Sequence, residues 1–274
     1  MKTGRVAAAA RAALVVGLAG AVVAGCGTRE GKGTHRALAE AKALVEGYGS
    51  PSNLPERLAP DGTTIVVGYP TARSAVHVYE DPRCPVVEEY EKTGALAVQE
   101  LVLKRQVRVE YTFASFKDDR LGGDGSKRAV NALRAALDAG KFVEYHAVLF
   151  DNQITVENSG GFTAERLLKL ADNVPGLRSE TFDSAVKTMK HKSFVTASQQ
   201  TYQRTGDDPI GPGTPTLVVN GRHVDGGLYG MIFEPVMLTR LVENLDRKPG
   251  SWETIYKPLK EALETGEAQE SQGR

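Results

Sequence analysis

Cysteine is almost missing from this sequence. Two residues in 274, Cys26 and Cys84, exclude a disulfide-stapled scaffold and a cysteine-rich metal cluster. Charge of one sign is missing too. Lys plus Arg number 34 and Asp plus Glu number 34, with no basic block, so the chain carries no footprint for nucleic acid. The five histidines, His35, His77, His146, His191 and His223, are scattered, with no pair at i,i+3 or i,i+4 and no carboxylate constellation beside them. No metal and no organic cofactor is therefore expected, and His146 reads as a packing or hydrogen-bonded residue. No G-x-S-x-G elbow occurs, and the GGDGSK run at 122–127 lacks the spacing of a phosphate loop. What is present, 41% apolar and 25% charged residues, fits a soluble globular domain with one core of ordinary size.

The one long apolar run is at the N-terminus. Lys2, Arg5 and Arg11 precede an uncharged stretch over 12–25, which is shorter than the roughly 20 residues a spanning helix needs. It ends in Val23-Ala24-Gly25-Cys26, which resembles the lipobox of bacterial lipoproteins. That resemblance implies cleavage before Cys26, acylation of its sulfur, and a membrane anchor outside the cytoplasm. Loss of the leader removes three cations and no acids, leaving a net charge of −3. A polar tether follows to about residue 34, and lipidation would leave Cys84 as the only free thiol.

Beyond the tether, residues 35–48 are helix-like and 50–62 read as a loop. Two β-branched runs, TTIVV at 63–67 and AVHVY at 75–79, suggest a strand pair. Residues 88–105 read as a helix with Leu96, Val98, Leu101 and Val102 among charges. VRVEYTF at 107–113 alternates as a half-buried strand. From 126 to about 206 the signals are helical. Ser126 is a candidate cap, and Phe142, Tyr145 and Leu149 form a stripe; Leu167, Leu168 and Leu170 mark a further helix, and Phe182, Val186 and Met189 another. TLVVN at 216–220, the Asn220-Gly221 turn and residues 222–225 read as a hairpin. A last helix spans 233–245 with Val236, Leu241 and Val242 facing inward, and 247–274 is a polar tail. This order, β–β–α–β, four helices, β–β–α, is an α/β arrangement with an all-helical insertion over about 118–206.

Asp81-Pro82-Arg83-Cys84-Pro85 lies where a strand ends and a helix begins. A cysteine there meets unpaired amide N–H groups and the positive end of the helix dipole, which favour the nucleophilic thiolate. Pro85 suits a first turn, and Arg83 would add a cation. Far along the chain, Gly213-Thr214-Pro215-Thr216 stands directly before a strand, where a proline that cannot donate to the ladder belongs.

The segments TTIVVGYPTARSAVHVYEDPRCP, KRAVNALRAALDAGKFVEYHAVLF and GTPTLVVNG, in this order, resemble the DsbA-like branch of the thioredoxin superfamily over about residues 63–246. The resemblance implies a thioredoxin-like fold, a central mixed sheet flanked by helices. It places Cys84 at the family's attacking cysteine and Pro85 at the residue after it. Thr214 and Pro215 match the cis-proline pair that presents backbone groups to an extended substrate. Expected partners are exported polypeptides or small thiols, with the protein a monomer on the outer face of the membrane.

The chain departs from the family's C-P-x-C motif. The run here is Cys84-Pro85-Val86-Val87, so no internal disulfide is available to store electrons. Four roles stay open for Cys84: exchange through a single thiol, an incidental thiol beside a peptide-binding groove, a chemistry linked to peroxide or small thiols, and a buried remnant of a redox ancestor.

Overall fold

The computed structural model describes residues 47–206 and 211–272. The leader, Cys26, the tether and nearly all of the helix expected over 35–48 lie outside the described residues. Among those described, no helix is long and apolar enough to cross a membrane.

Among the described residues six strands form one mixed sheet: β1 (Glu56–Leu58), β2 (Ile65–Gly68), β3 (Ser74–Glu80), β4 (Val107–Phe113), β5 (Thr216–Val219) and β6 (Arg222–His223). Their spatial order is β1-β2-β4-β3-β5-β6. Only β3 and β4 run parallel, so a helical crossover must join them. It consists of α1 (Pro85–Glu91) and α2 (Gly94–Leu103). Between β4 and β5 the described residues form seven helices: α3 (Lys117–Leu121), α4 (Gly125–Asp138), α5 (Phe142–Asp151), α6 (Gln153–Asn158), α7 (Ala164–Ala171), α8 (Glu180–Thr188) and α9 (Lys192–Gln203). Beyond β6 lie a 3₁₀ segment over Gly226–Phe233, α10 (Pro235–Arg247) and α11 (Lys257–Gln272). The result is the thioredoxin-like fold with a helical insertion.

The core follows the periodicities of the sequence. Val76 and Val78 point into it from β3, and Phe142, Tyr145 and Leu149 from α5; all are at most 1% exposed. Side chains of this kind contribute about 1.5–3 kcal/mol each when fully buried.

Several expectations are corrected. The runs at 63–67 and 75–79 do not pair with each other, because β4 lies between them. The link over residues 69–73 passes the start of β4, where Arg108 Nη1 donates to the Ala72 carbonyl at 2.7 Å. Within the loop expected over 50–62, Glu56–Leu58 pairs with β2 as an edge strand. It has no β-branched residue to signal it. Its Glu56 carboxylate accepts the Phe142 and Val143 N–H groups at 2.9 and 3.0 Å, capping α5 from a distance. Ser126 is not a helix cap; Asp124 takes that position and Ser126 lies buried in the first turn of α4. Leu96 and Val236 face solvent, at 54% and 65% exposed. The C-terminal tail is helical and begins packed. Trp252 and Tyr256 are buried, Asn244 Nδ2 donates to Tyr256 Oη at 2.8 Å, and α11 lies against the 3₁₀ segment at Gly227.

The single helix expected over 88–105 is two. The break falls at Lys92 and Thr93, directly before Gly94, where a Cβ would stand 1.8 Å from the Ile232 carbonyl oxygen. Only glycine permits that approach, and it locks α2 beneath the 3₁₀ segment. Gly94→Ala should therefore cost about 3 kcal/mol in urea denaturation. Gly122→Ala, at φ 76 with no neighbour within 4 Å, should cost about 1 kcal/mol. Equal costs for the two variants would contradict the close-approach explanation.

Candidate functional site

β3 ends at Glu80 and α1 begins at Pro85, and the turn between them is built by Asp81. Its buried carboxylate accepts the Arg83 N–H at 3.0 Å, the Lys117 N–H at 2.9 Å and the Ser126 hydroxyl at 2.6 Å. Burial pushes Asp81 up to about 6, against the pull of those three donors. One side chain thus ties the turn to α3 and α4 of the insertion.

Cys84 caps α1 in extended conformation, with φ −82° and ψ 116°, and Pro85 fills the first turn. The sulfur does not accept a capping bond from the helix. Instead Sγ donates to the Thr214 carbonyl at 3.2 Å, an interaction only the protonated thiol makes. Cys84 is 3% exposed. The Thr214–Pro215 peptide is cis, and Pro215 is buried at the start of β5. The fold therefore brings Cys84, Pro85, Thr214 and Pro215 together, across 130 residues of chain between Cys84 and Thr214. Cys26 lies outside the described residues. Val87 sits one turn along α1 from Cys84 and is fully buried, while Val86 is 37% exposed.

Arg83 does not serve the sulfur. Its Nη1 pairs with Asp118 and its Nη2 with Glu157, both at 3.0 Å, and Nη1 also donates to the Gly122 carbonyl at 2.8 Å. The guanidinium is an anchor between the turn and the insertion, and removing one partner of so buried a pair costs about 3–5 kcal/mol.

Two residues of the site carried no sequence signal. Gln153, 1% exposed at the start of α6, donates from Nε2 to the Pro82 carbonyl at 2.9 Å and the Cys84 carbonyl at 2.8 Å. It holds the turn from behind. Tyr229, half-buried on the 3₁₀ segment, has its phenol pushed up by burial and then by the nearby Cys84 and Glu89. The proline loop has its own brace: Gly213 N–H donates to Tyr202 Oη at 2.9 Å, and a Cβ on Gly211 would stand 2.3 Å from the Tyr202 ring. Tyr202 in turn stacks on Phe116 at 5.5 Å.

Below the turn lies a second group of titratable side chains. Glu80 on β3, Glu91 at the end of α1 and His146 on α5 converge, although the sequence separates His146 from the two acids by 55 residues or more. This corrects the expectation of no carboxylate constellation around a histidine. His146 Nε2 is 2.8 Å from Glu80 Oε2, and Nδ1 is 3.6 Å from Glu91 Oε2. Burial pushes Glu80 up to about 7; burial and the Glu80 charge raise Glu91 well above its ordinary value. Burial lowers His146, opposed by Glu91.

A mixed sheet, a cysteine opening the crossover helix and a cis-proline loop against its sulfur define a thioredoxin-fold protein. The chain belongs to the thioredoxin family whose model, Thioredoxin_4 (Thioredoxin), matches residues 60–229. Comparison with curated proteins gives no match. Among solved structures, the chain is similar to oxidised BdbD from Bacillus subtilis, at 20% identity, TM-score 0.56, covering 74% of this chain and 98% of that one. It is similar to MdbA from Actinomyces oris, a thiol-disulfide oxidoreductase, at 21% identity, TM-score 0.55, covering 71% and 95%. It is also similar to MdbA from Corynebacterium diphtheriae, a thiol-disulfide oxidoreductase, at 20% identity, TM-score 0.52, covering 69% and 92%. At these identities the likeness is one of fold.

Removal of the Gln153 amide strands the buried Pro82 carbonyl and takes one donor from the Cys84 carbonyl, which keeps the Val87 and Glu88 N–H groups of α1. Gln153→Ala should lower stability by about 1–3 kcal/mol in chemical denaturation and raise the rate of Cys84 alkylation several-fold. Unchanged stability and unchanged alkylation would show that the turn holds itself.

Proposed function

We propose that the protein acts in thiol–disulfide exchange on exported polypeptides through a single cysteine, Cys84, from a lipid anchor at Cys26 outside the cytoplasm. The observation that carries this reading is the Cys84 sulfur at the first turn of α1, 3.2 Å from the carbonyl of the cis-proline loop. That loop is the surface on which an extended chain would lie. The MdbA structures are titled thiol-disulfide oxidoreductases, which supports the same chemistry here.

The chemistry balances with one thiol. Cys84 gives up its proton, the thiolate attacks one sulfur of a substrate disulfide, and the S–S bond breaks as the mixed disulfide forms. The second substrate sulfur leaves as a thiolate. When a different thiol of the same substrate attacks the substrate sulfur of the mixed disulfide, Cys84 leaves as the thiolate and the substrate carries a new disulfide in place of the old one, with no net oxidation; attack by the thiolate just released only restores the starting bond. Two small external thiols give net reduction instead: the first attacks the Cys84 sulfur, freeing the substrate thiol and leaving Cys84 joined to the small thiol, and the second frees Cys84 as the two small thiols leave as their disulfide. Neither route uses Val87. Thr214 and Pro215 would position the substrate backbone, and Pro85 would start the helix that presents the sulfur.

A second reading is favoured by one observation: Cys84 is 3% exposed and already donates to Thr214. On that reading the groove beside Pro215 binds extended chains and the thiol does not turn over. The two part on Cys84→Ser. Under exchange, the wild-type protein rearranges a scrambled disulfide substrate in glutathione buffer and Cys84→Ser loses the activity. Under binding alone, neither form rearranges disulfides and both suppress aggregation of an unfolded client. Failure of the wild type in both assays would remove both readings. Val87→Cys should restore a C-P-x-C pair and, on oxidation, lose two free thiols by mass spectrometry. Retention of both thiols would contradict the assignment of Cys84 to the attacking position.

A further inference from the structure

The Glu80, Glu91 and His146 triad lies under a cavity of about 410 Å³, bordered by α1 and α2 on one side and α5 on the other. That size falls in the range of small-molecule sites, about 300–1,000 Å³. The triad itself asks nothing of a ligand. Its two carboxyls hydrogen-bond each other and hold opposite ring nitrogens of His146, and burial pushes all three groups toward their uncharged forms. It is a neutral, internally satisfied floor. The walls above it are apolar, with Val67, Val98, Val102, Val109, Phe142 and Phe150 among them.

Two hydroxyls interrupt that apolar lining. Tyr90 on α1 and Tyr111 on β4 both border the cavity, and Tyr90 is 1% exposed. Among the described residues neither phenol hydroxyl has a hydrogen-bond partner. Burial raises both phenols well above their ordinary value, so each is a neutral group able to donate and to accept. A buried tyrosine hydroxyl ordinarily finds a partner. Here two of them border one cavity.

The rim sets the charge of what can enter. Glu144 and Asp151 border the cavity, and among the described residues no lysine or arginine does. The nearby Lys92 and Lys141 are paired with Glu88 and Glu144. An anion would meet acidic groups with no cation to receive it, and a charged end of either sign would shed its water against apolar walls.

We propose that this cavity binds an uncharged lipophile, an apolar molecule with one hydroxyl or carbonyl group, whose polar end is received by Tyr90 and Tyr111. The aliphatic and aromatic walls take the apolar body, and the phenols take the one polar group. The ligand would touch α1, β4 and α5 together. It makes no use of the Cys84 sulfur, so the site stands apart from the exchange chemistry.

The test uses the full chain and isothermal titration with 1-octanol, with octanoate as the charged counterpart of equal length. The expected result is saturable 1:1 binding of 1-octanol, a rise in Tm at saturation, and binding of octanoate weaker by about tenfold or more. Ala147→Trp places an indole at an exposed position on the rim and should abolish binding. Tyr90→Phe combined with Tyr111→Phe keeps the walls and should weaken 1-octanol by about tenfold. Cys84→Ser should bind as the wild type does. Absence of 1-octanol binding in the wild-type chain would overturn the proposal. Octanoate bound as tightly as 1-octanol would overturn the charge argument it rests on. Undiminished binding by a folded Ala147→Trp would place the ligand elsewhere on the protein and overturn it too.

Discussion

The contact between Cys84 Sγ and the Thr214 carbonyl joins the two halves of the site, and much of the surrounding structure serves to maintain it. The sulfur belongs to the turn between β3 and α1; the carbonyl belongs to the loop that enters β5. These strands are neighbours in the sheet, with Tyr79 opposite Thr216. The antiparallel register of β3 and β5 places the C-terminal end of one beside the N-terminal end of the other. Sheet pairing sets the coarse distance, and the loops on each side set the final 3.2 Å.

Those loops are fixed by the helical insertion more than by the sheet. Asp81 is tied to Lys117 and Ser126, Arg83 to Asp118 and Glu157, and the Pro82 and Cys84 carbonyls to Gln153. On the other side, Tyr202 of α9 holds Gly213. The insertion therefore acts as a brace for both partners of the contact. None of these bonds involves the Val87 side chain, which packs into the core.

How much of this was legible in the sequence depends on the range of each signal. The strand-to-helix placement of Cys84 and Pro85, and the position of Pro215 before a strand, follow from local pattern and came through intact. The pairing of β2 with β4 instead of β3 did not, because two adjacent β-branched runs cannot reveal that a third will insert between them. The close approach at Gly94 is to a carbonyl from Ile232, 138 residues away. Gln153 and Tyr229 look like ordinary surface polar and loop aromatic residues until the fold places them. His146 illustrates the same limit: its helix and burial were readable, but the acids beside it come from β3 and the end of α1.

The account stands on Cys84 being a thiol that a substrate disulfide can reach in the folded protein, despite its 3% exposure. The most direct measurement is native-state mass spectrometry of the full chain after brief exposure to a small disulfide-bonded peptide. A single peptide adduct mapped to Cys84, reversed by glutathione, is the expected outcome. A sulfur that stays unmodified until the chain is unfolded by denaturant would contradict the account.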